Sequence, residues 1–371
     1  MTALIPMVTA SGAGTARSAP ADALAERLAD LAVAALVDEA LLTPKPGLVD
    51  LRGGGAHADM RWMLMCRSAW ALRPAFLDMA RAGAAVDDLP ALRRRIGAIG
   101  RAAEGAMMAA TGGVNTHRGA IWALGLLVTA AARYALHGAA NGAGPARETT
   151  ATKTAMHDTA TGIARLAGRL ARIDDPGAPA HTGNKGELAC RVHGVGGARG
   201  QARAGFPAVT GHALPMLRSA RARGDAEPQA RVNALLAVMA GLDDTCLLAR
   251  GGAAALHAAQ TGARRVLARG GMAAPNGRRA FAALEARLRR LHVSPGGAAD
   301  LLAAALLLDR LDTARIDAAG RRTYPGRERE VDDDDWQARA RREEAHGEPC
   351  NDEQRGTRLS GASATTGSLL G

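Results

Sequence analysis

From Ala21 to Leu311 the apolar residues recur every three or four positions, and no stretch of β-branched residues alternates convincingly with polar ones. That spacing lines apolar side chains along one face of a helix, whereas a half-buried strand needs a period of two. Helices are therefore expected over about 21–42, 58–82, 90–110, 117–137, 152–172, 206–221, 228–248, 252–269, 274–292 and 296–313. An all-α fold follows. Asp22 can cap the first helix, Pro44 ends it, and Pro74 should kink the second.

Although 371 residues could hold two average domains, one large helical domain over 21–320 is the expectation. Residues 1–20 are small and polar enough for a disordered lead-in. Residues 321–371, with REREVDDDDWQARARREEAHGEPCNDEQRG, are charge-dense and poor in apolar side chains, so a disordered tail is expected. Two segments interrupt the helical pattern: a surface loop at 138–150 and a long Gly-rich connection at 173–205. Unstructured loops beyond about 12–15 residues are commonly functional or disordered.

The formal charge of +11 would ordinarily suggest a polyanionic partner. Here Lys occurs only at 45, 153 and 185, the other basic residues are Arg, and Ala is abundant, which fits a coding bias acting on a solvated surface. With aromatics at 2%, few platforms remain for stacking bases, and nucleic-acid binding is not expected. Cys66, Cys190, Cys246 and Cys350 lack zinc-type spacing and read as thiols of a reducing cytoplasm. The N-terminus has no basic region ahead of its apolar residues, and the apolar run Ala120 to Ala132 is shorter than the ~20 residues of a membrane helix. A cytoplasmic protein without a membrane partner is expected.

Chemistry concentrates in a few places. Glu39 lies on the same helical side as Leu28, Leu31, Ala35 and Leu42, where a carboxylate must be paired or functional. A buried salt bridge to an Arg of another helix is the structural alternative. TPKPGLVDLRGGGAHADM (43–60) crowds charged residues, prolines and glycines into the break after that helix. TGGVNTHRGAIWALG (111–125) can form a capped helix start, with Asn115 or Thr116 as cap and His117 and Arg118 in the first turn, an arrangement suited to anions. LDDTCLLARGG (242–252) sets Asp243 and Asp244 near an expected helix end, ahead of Arg250, where a divalent cation would relieve their repulsion. In HVSPGGAADLLAAALLLDRL (292–311), Ser294 is a candidate cap and Asp300 suits the dipole of its own helix.

Taken in order, the blocks EALLTPKPGLVDLRGGGAHADM, GGVNTHRGAIWALG, GVGGARGQARAGFP, DDTCLLARGG and SPGGAADLLAAALLL resemble the triphosphoribosyl-dephospho-coenzyme A synthase family. The resemblance runs from about Leu31 to Leu311 and looks closer to the malonate decarboxylase branch than to the citrate lyase one. Gln201, Cys246 and Ala58 after His57 depart from the residues frequent in that family, which puts the role of position 201 in doubt. The resemblance implies transfer of the triphosphoribosyl group of ATP to the 2'-hydroxyl of 3'-dephospho-CoA, with release of adenine. The product would pass to the acyl carrier protein of a decarboxylase or lyase.

That reaction needs cations for a triphosphate that is kept intact, an anion for the oxocarbenium-like centre, and a base for the hydroxyl. Under the resemblance, Glu39 is the first candidate for base or cation stabiliser and Asp50 the second. Lys45 and Arg52 would face phosphate, and His57 the sugar or a metal-bound water. Asn115, His117 and Arg118 would meet the triphosphate, Arg199 and Arg250 would supply further phosphate contacts, and Asp243 and Asp244, with Asp59, would hold Mg²⁺. A Mg²⁺-dependent nucleotide hydrolase and a non-catalytic CoA or nucleic-acid binding module are the competing readings.

Overall fold

The computed structural model describes residues 19–140, 152–179 and 181–313. Most of the expected lead-in, most of the 138–150 loop and the charged tail lie outside the described residues. The helices are α1 (Ala19–Leu41), α2 (Trp62–Ala71), α3 (Arg73–Ala85), α4 (Leu89–Ala110), α5 (Arg118–Ala140), α6 (Thr152–Arg172), α7 (Lys185–His193) and α8 (Gly197–Arg203). A π-helical turn (Val209–Ala213) then runs into α9 (Leu214–Ala222), followed by α10 (Glu227–Met239), α11 (Thr245–Ala268), α12 (Pro275–Arg290) and α13 (Gly296–Thr313). Among the described residues there is no strand, only an isolated bridge between Asp50 and Gly53. The all-α reading holds.

Helices α5 and α13 form the centre, flanked by α1. The run Leu301 to Leu308 of α13 is buried on every side, as is Ala120 to Ala132 of α5 apart from the half-buried Trp122. A helix apolar all round belongs in a core or a membrane. The Arg118–Leu136 segment is long and apolar enough to cross a membrane, and 67% of that stretch is buried inside the protein, which accounts for its apolarity.

Several boundaries depart from the sequence reading, each for a local reason. The expected helix at 58–82 is two helices, broken at Leu72, and Pro74 opens α3 rather than kinking a longer helix. A proline there lacks only an N–H that the first turn leaves free. Asp22 falls within the first turn of α1 and accepts from Arg81 Nε at 3.1 Å. The connection at 173–205 contains α7 and α8. Asn184 caps α7 through the Glu187 N–H at 2.8 Å, while Glu187 reaches back to the Thr182 N–H at 2.7 Å. This side-chain reciprocity starts a helix despite the surrounding glycines. Finally, α10 ends at Met239, so Asp244 caps the start of α11 instead of standing near the end of the preceding helix.

Candidate functional site

The turn between α1 and α2 is organised around Asp50. Its buried carboxylate accepts from the backbone N–H of Lys45 at 2.9 Å, the N–H of Arg52 at 2.8 Å and Arg52 Nη2 at 2.6 Å. Burial pushes the Asp50 carboxyl up, yet the side chain and backbone donors prevail and hold it below its ordinary pKa. Arg52 continues to Glu285 on α12 at 2.7 Å. From α11, Arg250 faces His57 Nε2 at 3.1 Å and Nδ1 at 3.3 Å. Burial, followed by the Arg250 charge, lowers His57 to about 4, so it is neutral at physiological pH. Asp59 lies 3.7 Å from His57 and is exposed. At Gly47, φ is +71° and an added Cβ would stand 2.7 Å from the Val293 carbonyl, so glycine lets the turn press against the segment before α13.

Inside this turn lies a buried ion pair. Glu39, in the last turn of α1, is 4% exposed, Lys45 is 2% exposed, and Lys45 Nζ meets Glu39 Oε1 at 2.6 Å. The same ammonium donates to the Glu39 carbonyl, placing a cation at the negative end of α1. The partner of Glu39 is thus a lysine six residues on, not an Arg of another helix.

Asp300 and Asp244 bring three helix starts together beside this pair. The Asp244 carboxylate caps α11 through the N–H groups of Cys246 at 2.8 Å and Leu247 at 3.4 Å, and accepts from Ala298 N–H in the first turn of α13 at 2.9 Å. Ser294, expected as the cap of α13, instead has a buried hydroxyl without a partner. Asp300, partly exposed in the second turn of α13, faces the start of α5. Its Oδ2 lies 2.1 Å from where a Cβ of Gly119 would be, an approach only glycine allows. Burial raises Asp244 despite its four amide donors. Asp300 is raised well above its ordinary value by burial and then by the charges of Glu39 and Asp244.

His117 borders the Glu39 pocket. It is 2% exposed, and burial followed by the Lys45 charge lowers it to about 3. Its Nδ1 shares a hydrogen bond with Ser68 Oγ at 2.8 Å, Ser68 shares another with Thr116 Oγ1 at 2.6 Å, and His117 Nε2 is buried without a partner. Exposed Asn115 accepts from the Arg118 N–H at 3.3 Å, and Arg118 Nε pairs with Glu104 at 3.0 Å. Arg199 and Arg250 are exposed, on α8 and α11.

The structure therefore gathers Glu39, Lys45, His117 and Asp244 with Asp300, and links His57 to Arg250. It does not bring Asp59, Asp243 and Asp244 into a metal site: among the described residues no three His, Cys, Asp or Glu side chains are arranged to hold an ion. Asp243 and Asp59 are exposed, while both oxygens of Asp244 already accept from amides. The protein residues do not fit a Mg²⁺ cage. Spacing along the chain gave no sign of Ser68, Glu104 or Glu285, whose partners lie on other segments of the fold. Asp300 carried a signal, a carboxylate in an apolar helix, but the helix start it faces is that of α5 rather than its own.

The family model described as CitG: ATP:dephospho-CoA triphosphoribosyl transferase matches residues 25–317. A "probable 2-(5''-triphosphoribosyl)-3'-dephosphocoenzyme-A synthase" of Stutzerimonas stutzeri (strain A1501) is 52% identical over 300 residues, covering 81% of this chain and 96% of the relative. Relatives with the same description in Azotobacter vinelandii (strain DJ / ATCC BAA-1303), 51% identical over 79% of this chain and 94% of the relative, and Pseudomonas fluorescens (strain Pf0-1), 52% identical over 78% and 93%, are also similar. No solved structure matches.

Proposed function

The chain belongs to the ATP:dephospho-CoA triphosphoribosyl transferase family, and from that premise we propose that its reaction takes place where the first turns of α5, α11 and α13 meet the buried Glu39–Lys45 pair. The enzyme makes 2-(5''-triphosphoribosyl)-3'-dephospho-CoA from ATP and dephospho-CoA. Removing a triphosphoribosyl group from ATP leaves adenine. The observation that carries the site assignment is the convergence itself: helix N-termini favour anions, while a buried carboxylate beside them can receive a proton or face a developing cation.

In this reading Glu39 takes the proton of the attacking 2'-hydroxyl or faces the oxocarbenium-like carbon. Lys45 fixes its orientation, and Asp50 acts through Lys45 and Arg52. Arg118, Arg199 and Arg250, with the amides near Asn115 and the neutral His117, bind phosphate oxygens, and His57 positions Arg250. Any Mg²⁺ would be carried by the triphosphate itself, since the carboxylates of the described residues are not arranged to hold one, and Asp244 keeps its capping role. The product serves the acyl carrier protein of malonate decarboxylase, in the cytoplasm.

The Arg250→Ala variant tests the phosphate assignment. Loss of one charge-assisted hydrogen bond, worth about 1.5–3 kcal/mol, should raise KM for ATP by roughly 10–100-fold. A kcat nearly unchanged in initial-rate kinetics would mark uniform binding. An unaltered KM would count against placing the triphosphate at Arg250.

A further inference from the structure

One cation of the interior is poorly compensated. Arg93 on α4 is 6% exposed, and its guanidinium lies over the Trp122 ring of α5 with Cζ 5.1 Å from the centroid. Among the described residues its ion contact is Nη1 to Asp175 Oδ2 at 3.5 Å, longer than the roughly 2.7–2.9 Å of a charge-assisted hydrogen bond. Asp175 bonds instead to Arg101 Nη1 at 2.7 Å and to the Gly177 N–H at 3.0 Å. Arg93 Nε and Trp122 Nε1 are both buried without a hydrogen-bond partner among the described residues. Two stacked side chains thus present a positive charge and orphaned N–H donors, a combination costly to the fold and complementary to an oxyanion. Burial disfavours the Arg93 charge, Asp175 supports it, and Arg101 and Arg199 oppose it again. Trp122 is half-buried and Arg101 exposed, so the cluster is reached from the surface.

The stacked pair also lies beside the helix starts assigned to the reaction. Trp122 follows Arg118, the first residue of α5, by about one helical turn, roughly 6 Å of rise. Glu104, farther along the helix that carries Arg93, holds Arg118 at 3.0 Å. The triphosphate of ATP occupies the helix starts in the reading above, and the acceptor brings a second anion, a diphosphate one ribose away from its attacking 2'-hydroxyl. We propose that Arg93 and Trp122 bind the diphosphate of dephospho-CoA, with Arg101 at its outer edge. The inference rests on that site assignment. Arg93 Nε–H and Trp122 Nε1–H donate to diphosphate oxygens, and the negative charge of the diester completes the compensation that Asp175 leaves partial. A diphosphate held there keeps the acceptor ribose at the start of α5.

Calorimetric titration of the full chain with dephospho-CoA and, separately, with ATP tests this in wild type, Arg93→Met, Trp122→Phe and Arg250→Ala. Arg93→Met should weaken dephospho-CoA binding by about 10–100-fold while ATP affinity stays within about threefold of wild type. Trp122→Phe keeps the ring and removes the N–H, and should weaken dephospho-CoA binding by roughly tenfold with the same indifference to ATP. Arg93→Met should also hold its urea midpoint, since it removes a poorly compensated charge. A lowered midpoint with equal losses for both ligands would mark a structural role and overturn the proposal. Unchanged dephospho-CoA affinity would overturn it too, as would a loss confined to ATP, which would give these donors to the triphosphate. If Arg93→Met does not fold, Trp122→Phe decides by the same binding criteria. If Arg250→Ala leaves ATP binding untouched while Arg93→Met weakens dephospho-CoA, the triphosphate assignment fails and the diphosphate subsite stands; the converse pattern overturns the subsite alone.

Discussion

Replacing Lys45 with Met should destabilise the protein by about 3–5 kcal/mol, because it leaves the Glu39 carboxylate in the interior without its cation. The cost arises from the unpaired charge rather than from loss of a strongly stabilising bond. Removing both charges should therefore restore much of the stability. The double variant Glu39→Leu with Lys45→Met is expected to return to within about 1–2 kcal/mol of wild type in urea unfolding, since well-packed apolar residues commonly replace a buried pair without loss. It should also stay inactive. Stability without activity would show that the pair is kept for chemistry. A double variant as unstable as Lys45→Met would mean that the pair, or the turn it closes, holds the fold together.

His117 should give stability a pH dependence that the rest of the molecule masks. Its pKa is about 3 in the folded protein, through burial and then the Lys45 charge, against about 6.5 when unfolded. Between those values the unfolded chain binds more protons at this residue. Its contribution to stability is therefore present above about pH 6.5 and is lost as the pH falls, by about 1.4 kcal/mol per unit. Asp312, raised to about 6 by burial, works in the opposite sense over the same range, because the folded state takes up the proton first. The wild-type curve alone consequently mixes both effects, and the difference from His117→Asn isolates one. Between pH 6 and pH 4 that difference should shift by about 2–3 kcal/mol, with the variant gaining on wild type. A difference independent of pH would mean that His117 is charged in the folded protein.

The helices themselves could be read from the chain because burial on one face imposes a 3.6-residue period; α1, α4, α5, α6, α12 and α13 lie close to their expected positions. What could not be read were helices whose starts depend on side-chain hydrogen bonds in a Gly-rich setting. The capping of α7 by Asn184, with Glu187 returning to Thr182, is an example. The site was partly legible. Glu39 stood out as a carboxylate in an apolar stripe, and it is buried. Its partner was not foreseen, since Lys45 was expected to face phosphate and instead folds back onto the end of α1. Asp243 and Asp244 illustrate a sharper limit. Adjacent in sequence, they suggest a shared ion, but one is exposed and the other bridges the starts of two helices, an arrangement that depends on Ala298 lying 54 residues away.

Mass analysis of the products formed from ATP and 3'-dephospho-CoA, by wild type and by a Glu39→Gln variant whose folded fraction is measured alongside, addresses the central claim most directly. Wild type should yield one adenine for each triphosphoribosyl conjugate, and the variant should form the same conjugate at a rate lower by about 10²-fold or more, the scale expected when a general base is lost. Conjugate made at the wild-type rate by Glu39→Gln would remove the buried pair from the chemistry, and ADP, AMP or free ribose triphosphate in place of conjugate would contradict transfer.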